Sequence, residues 1–159
     1  DVVTVGKMSQ VCATLYQKNF KPRPGLVSQT FTSSTSAIRA SQLVLDKLKA
    51  GGLCGKDGKI NRLHKCFVNN LKKLCKEYPG QFTGPYGLGA MVAFTVFDGD
   101  LEKTKAFARK LFDNCVISFI AGKEPTRVRF LMPVMAVEEQ DINEVCQIIS
   151  STMVEFKGA

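Results

Sequence analysis

The stretch KINRLHKCFVNNLKKLCKE, residues 59–77, constrains the fold of this chain more than any other. Ile60, Leu63, Phe67, Leu71 and Leu74 recur at three and four residues, the period of one helical face. Lys59, Arg62, Lys65, Lys72, Lys73 and Lys76 fill the opposite face. A helix with a single apolar stripe must bury it against another element, and Pro79-Gly80 ends the pattern. The sequence downstream supplies strands to pack on. GLGAMVAFTVF (87–97) is a nearly continuous apolar run, as expected of a strand covered on at least one face.

CVISFIA (115–121) and TRVRFLM (126–132) read as two strands joined by a short GKEP turn, which predicts an antiparallel hairpin. Alternation in the second puts Val128 and Phe130 on one face, with Arg127, Arg129 and Leu131 on the other. Asp98 and Asp100 favour a helix start, and Leu101, Ala106, Phe107 and Leu111 give that helix its apolar side. A last helix over about 138–155 opens on Glu138 and Glu139 and buries Ile142, Val145, Cys146 and Ile149.

Upstream, Ala37, Ala40, Val44 and Leu48, flanked by Ile38 and Leu45, predict a helix from about Thr35 that Gly51-Gly52 stops. Residues 36–159 therefore read as a self-sufficient α/β unit, with a three-stranded, mostly antiparallel sheet and about four helices. Residues 1–35 do not. VVTV is a short strand with no mate nearby, and KPRPGLVSQTFTSSTS is a Pro-, Gly-, Ser- and Thr-rich loop. A lone strand leaves its backbone groups unsatisfied, so residues 1–35 are expected to be a fragment of a larger sheet.

Composition narrows the function. A hydrophobic fraction of 45% suits a globular core, and no apolar run approaches the ~18–20 residues of a membrane span. With no secretory pattern either, the expectation is a cytoplasmic protein without a membrane partner. The six cysteines form no CxxC pair and read as reduced core residues. His64, the only histidine, stands in a lysine-rich helix, so neither a metal site nor histidine catalysis is expected. The net charge of +8 raises the alternative of a non-catalytic module that binds a polyanion through helix 59–76. That face offers no aromatic residue for base stacking, so no nucleic-acid partner is expected. GGLCGKDG misses the phosphate-loop spacing by one residue and has Asp57 where a hydroxyl is needed, so it reads as a helix-ending turn.

Lys7 closes the first strand, in VVTVGK. Taken alone it reads as a surface lysine, although a strand end is also where a reactive amine can condense with an aldehyde. VVTVGK, SQTFTSSTSAIRASQLVLDKL, YGLGAMVAF and RVRFLMPV together resemble, in order and spacing, class III pyridoxal-phosphate aminotransferases of fold-type I. GKMSQVC is most similar to the branch acting on ω-amino groups, lysine 6-aminotransferases among them.

The resemblance implies the C-terminal portion of such an enzyme, with residues 1–35 ending the large cofactor domain. Residues 36–159 would be the connecting helix and the small domain. It implies pyridoxal 5'-phosphate as cofactor and transfer of an amino group from an amino donor to a 2-oxo acid such as 2-oxoglutarate, by an intact homodimer. Lys7 falls at the Schiff-base lysine, Thr30 at the threonine that holds the cofactor phosphate, and Arg129 at the arginine that grips a substrate carboxylate. The family's Arg-Gly-x-Gly is Tyr86-Gly87-Leu88-Gly89 here, its paired prolines are Met132-Pro133, and its Asn-Pro cluster is Thr32-Ser33-Ser34-Thr35. These departures bear on substrate identity. The family's acidic partner of the pyridine nitrogen and its glycine-rich phosphate loop fall upstream of Asp1, so the chain by itself is expected to be inactive.

Overall fold

The computed structural model describes residues 1–26 and 34–157, which form two compact units, Asp1–Cys54 and Gly55–Ala159. In the first, β1 (Val2–Val5) pairs antiparallel with β2 (Ala13–Tyr16), Val2 opposite Tyr16 and Val5 opposite Ala13. The strand expected to lack a mate has one. The sequence hid it because ATLY is only four residues long and no tight-turn dipeptide joins it to β1. The pairing satisfies backbone groups but buries little: Val2 and Val3 each remain 54% exposed. Helix α1 (Thr35–Ala50) is capped by Ser34, whose hydroxyl accepts from the Ala37 N–H at 3.2 Å. Its less exposed face is the expected one, Ala37, Ala40, Val44 and Leu48, while Ile38 and Leu45 stay exposed.

The second unit contains α2 (Lys59–Glu77), β3 (Phe82–Tyr86), β4 (Met91–Val96), α3 (Leu101–Asp113), β5 (Phe119–Ala121), β6 (Arg127–Leu131) and α4 (Glu139–Lys157). Its sheet runs β3-β4-β6-β5, with every neighbouring pair antiparallel. The three expected strands are there, joined by a fourth, β3. Gly84-Pro85 reads as a turn in sequence, and β3 tolerates that proline because it is an edge strand. β5 is shorter than expected, because Cys115 takes a left-handed backbone (φ +64°) and the chain reaches the ladder only at Phe119.

One sheet face and three helices enclose the core. Leu63, Phe67, Leu71 and Leu74 of α2 pack with Val92, Phe94, Val128 and Phe130 of the sheet, together with Phe107 of α3 and Ile149 of α4. The Phe67 ring meets Phe130 edge-on at 5.4 Å, and Phe82 stacks on Phe94 at 4.4 Å. Asp100 caps α3 by accepting from the Lys103 N–H at 2.8 Å, as its position suggested. Polar contacts join α4 to its neighbours: Lys59 pairs with Glu138, and the Asn114 amide donates to the Thr152 hydroxyl at 2.9 Å. The other sheet face is left to Tyr86, Met91, Phe119 and Leu131, all exposed, with Arg127 and Arg129 between them.

Candidate functional site

Lys7 lies just past β1, in the loop to β2. Gly6 admits the close approach of Cys12: a β-carbon there would sit 3.0 Å from the Cys12 thiol. The turn is fastened by the Gln10 N–H, which donates to the Lys7 carbonyl at 3.0 Å. That bond holds Gln10 in left-handed backbone (φ +62°), a cost non-glycine residues accept only where something fixes the turn. The Lys7 side chain is exposed and, among the described residues, makes no ion pair or hydrogen bond. Thr30 lies outside the described residues.

Arg129 stands on the outer face of the sheet, opposite Ala93 on one side and Phe119 on the other. Val128 and Phe130 point into the core, so the alternation expected of this strand holds. The Arg129 guanidinium lies 5.6 Å from the centre of the Phe119 ring. Arg127, two residues earlier on the same face, stacks 4.7 Å from the Tyr86 ring. Sequence alternation sets Arg127 on the face of Arg129 but gives it no role. Its stacking on Tyr86 depends on a β3 that the sequence conceals.

His64 has a structural task. Its Nδ1 donates to the Gly89 carbonyl at 2.9 Å and ties α2 to the Tyr86–Ala90 turn. A carbonyl can only accept, which assigns the proton to Nδ1. Among the described residues no three His, Cys, Asp or Glu side chains converge as a metal site. The basic face of α2 is partly neutralised: Lys59 meets Glu138 at 2.6 Å, and Arg62 lies 4.0 Å from Glu139.

The cysteines depart from expectation. All are free thiols, but Cys12, Cys54 and Cys115 are exposed rather than core residues. Cysteine is apolar enough for a core, and nothing local distinguishes these three from Cys146, which is buried. Burial, then the neighbouring Cys66, pushes the Cys146 thiol up to about 12, against a small opposing pull from Lys73. Burial also raises Cys66 and Cys75.

No family model matches the sequence, and no curated protein matches it. Among solved structures, the chain is similar to lysine aminotransferase from M. tuberculosis in the internal aldimine form, with a TM-score of 0.78 and 21% identity. That match covers 98% of this chain and 36% of the other. Ornithine delta-aminotransferase of Plasmodium falciparum gives a TM-score of 0.78 at 22% identity, covering 98% of this chain and 40% of that one. N-acetylornithine aminotransferase from Stenotrophomonas maltophilia gives 0.63 at 18%, covering 77% and 32%. The chain thus spans about a third of the length of these proteins and has the fold of that portion of an aminotransferase chain.

Proposed function

We propose that this chain is the C-terminal portion of a class III pyridoxal-phosphate aminotransferase. In this reading residues 1–35 end the large cofactor domain, and 36–159 form the connecting helix and the small domain. The intact enzyme is a cytoplasmic homodimer that moves an amino group from an amino acid or ω-amino donor to a 2-oxo acid such as 2-oxoglutarate. One observation carries the reading: a fold likeness to aminotransferases along 98% of the chain. Lys7, which the sequence resemblance sets at the Schiff base, is an exposed lysine in a fixed turn.

The residues suit the cofactor. A lysine that forms a covalent link to an aldehyde needs a free amine on an ordered backbone, and Lys7 has both. Pyridoxal phosphate, when bound, supplies an aldehyde carbon for the amino group and a ring that takes up electrons. Lys7 Nζ would hold it and would move a proton on and off the amino-bearing carbon of the substrate. Thr30, which the resemblance sets at the phosphate, would donate its hydroxyl to a phosphate oxygen. Arg129 holds a substrate carboxylate with two parallel N–H donors, which fixes the orientation of that carbon.

Borohydride reduction of the full-length protein carrying the cofactor, followed by peptide mapping, tests this. The pyridoxyl group is expected on Lys7, and finding it on a different lysine would end the assignment.

A further inference from the structure

Arg127 and Arg129 share an unusual predicament. Both are half-buried, and the Nε of each is sealed from solvent without a hydrogen-bond partner. Neither guanidinium has a carboxylate within ion-pair distance or any side-chain hydrogen bond among the described residues. A partly buried donor without an acceptor is costly, and two like charges side by side add repulsion. Aromatic stacking on Tyr86 and Phe119 orients the two groups but supplies no acceptor. Small residues, Ala93 and Ala121, oppose Arg129 and Arg127 in the ladder. The pair presents two oriented sets of N–H donors on one sheet face.

We infer that Arg127 and Arg129 form a paired-guanidinium site for the two carboxylates of a dicarboxylate, with Arg127 as the specificity-determining residue. The inference rests on the proposed role of Arg129 and extends it: Arg129 takes the carboxylate beside the reacting carbon, and Arg127 takes the distal one. Residues two apart on a strand lie roughly 6.5–7 Å from one another. That spacing suits the carboxylates of a five-carbon diacid, each met by the fork of one guanidinium. A monocarboxylate leaves Arg127 unsatisfied and is rejected for that reason.

Both arginines belong to one sheet face, so the 159-residue chain itself serves for the test. Isotope-labelled protein is titrated with glutarate and, separately, butyrate, following the arginine Nε–Hε resonances. Glutarate should move the signals of both Arg127 and Arg129 and bind about tenfold tighter than butyrate. Arg127→Gln should reduce glutarate to the affinity of butyrate without changing butyrate, and Arg127→Lys should recover only part. Arg129→Gln should lose both acids. Unchanged signals away from β6 establish that each variant is folded. An unaltered glutarate-to-butyrate ratio in Arg127→Gln overturns the inference, as does glutarate that moves neither resonance. Failure of the aminotransferase reading looks different: the pyridoxyl label misses Lys7 while dicarboxylate binding still depends on Arg127.

Discussion

Gly87 occupies a left-handed backbone (φ +106°), and a β-carbon there would overlap the carbonyl oxygen of Met91. The turn from β3 to β4 therefore needs glycine twice over, for conformation and for space. His64 grips the same turn two residues on, through the Gly89 carbonyl. Gly87→Ala is expected to cost about 2 kcal/mol or more, read as a lowered urea midpoint with unchanged slope. A change within a few tenths of that baseline would mean the turn can relax elsewhere. The other residues that matter at this scale are the unpaired cations. Among the described residues Lys7 has no side-chain partner in its fixed turn, and Arg127 and Arg129 stack on rings without an acceptor.

The helix α2 is a principal support of the second unit, because its single apolar stripe packs on β3 and β4 and reaches Phe130 of β6. Phe67 is 1% exposed, and its ring lies edge-on to Phe130, the inward neighbour of Arg129 on β6. Removing that ring leaves a cavity beneath the strand that carries both arginines. Phe67→Ala should destabilise by about 3–5 kcal/mol by chemical denaturation. It should also broaden the arginine side-chain resonances, since β6 loses its backing. Sharp, unshifted resonances in a destabilised variant would show that the outer face is held by the ladder alone.

Across the whole molecule, stability is distributed unevenly. The extended core lies in Gly55–Ala159, while in Asp1–Cys54 the β-hairpin exposes both faces and α1 buries chiefly Ser41. A two-stranded hairpin is marginal in water, so the global unfolding transition belongs to the second unit. Cys146 gives that transition a pH dependence. Its folded pKa, about 12, lies above the ordinary thiol value, so burial favours the neutral thiol. The resulting stability is fully present below about pH 9 and is lost as pH rises through the folded value. Urea midpoints measured over that alkaline range should decline, and less steeply in Cys146→Ala, which is weaker than the parent at neutral pH. Parallel declines in the two proteins would remove Cys146 as the cause. A further outcome follows from the aminotransferase reading: the chain alone should turn over no amino donor with 2-oxoglutarate.

The sequence by itself determined the helices, the inward and outward faces of β6, and the positions of Lys7 and Arg129. Each of these follows from local periodicity, turn chemistry or motif spacing, which neighbouring residues encode directly. Only the tertiary structure supplied β2 and β3 as partners, the exposure of three cysteines, and the relation between Arg127 and Arg129. Those depend on strand register and on which side chains happen to lie across the ladder, and short strands carry too little pattern to announce either. Two arginines in RVRF look alike as text. Stacked on Tyr86 and Phe119 with no acceptor in reach, they become the most specific feature of the sheet.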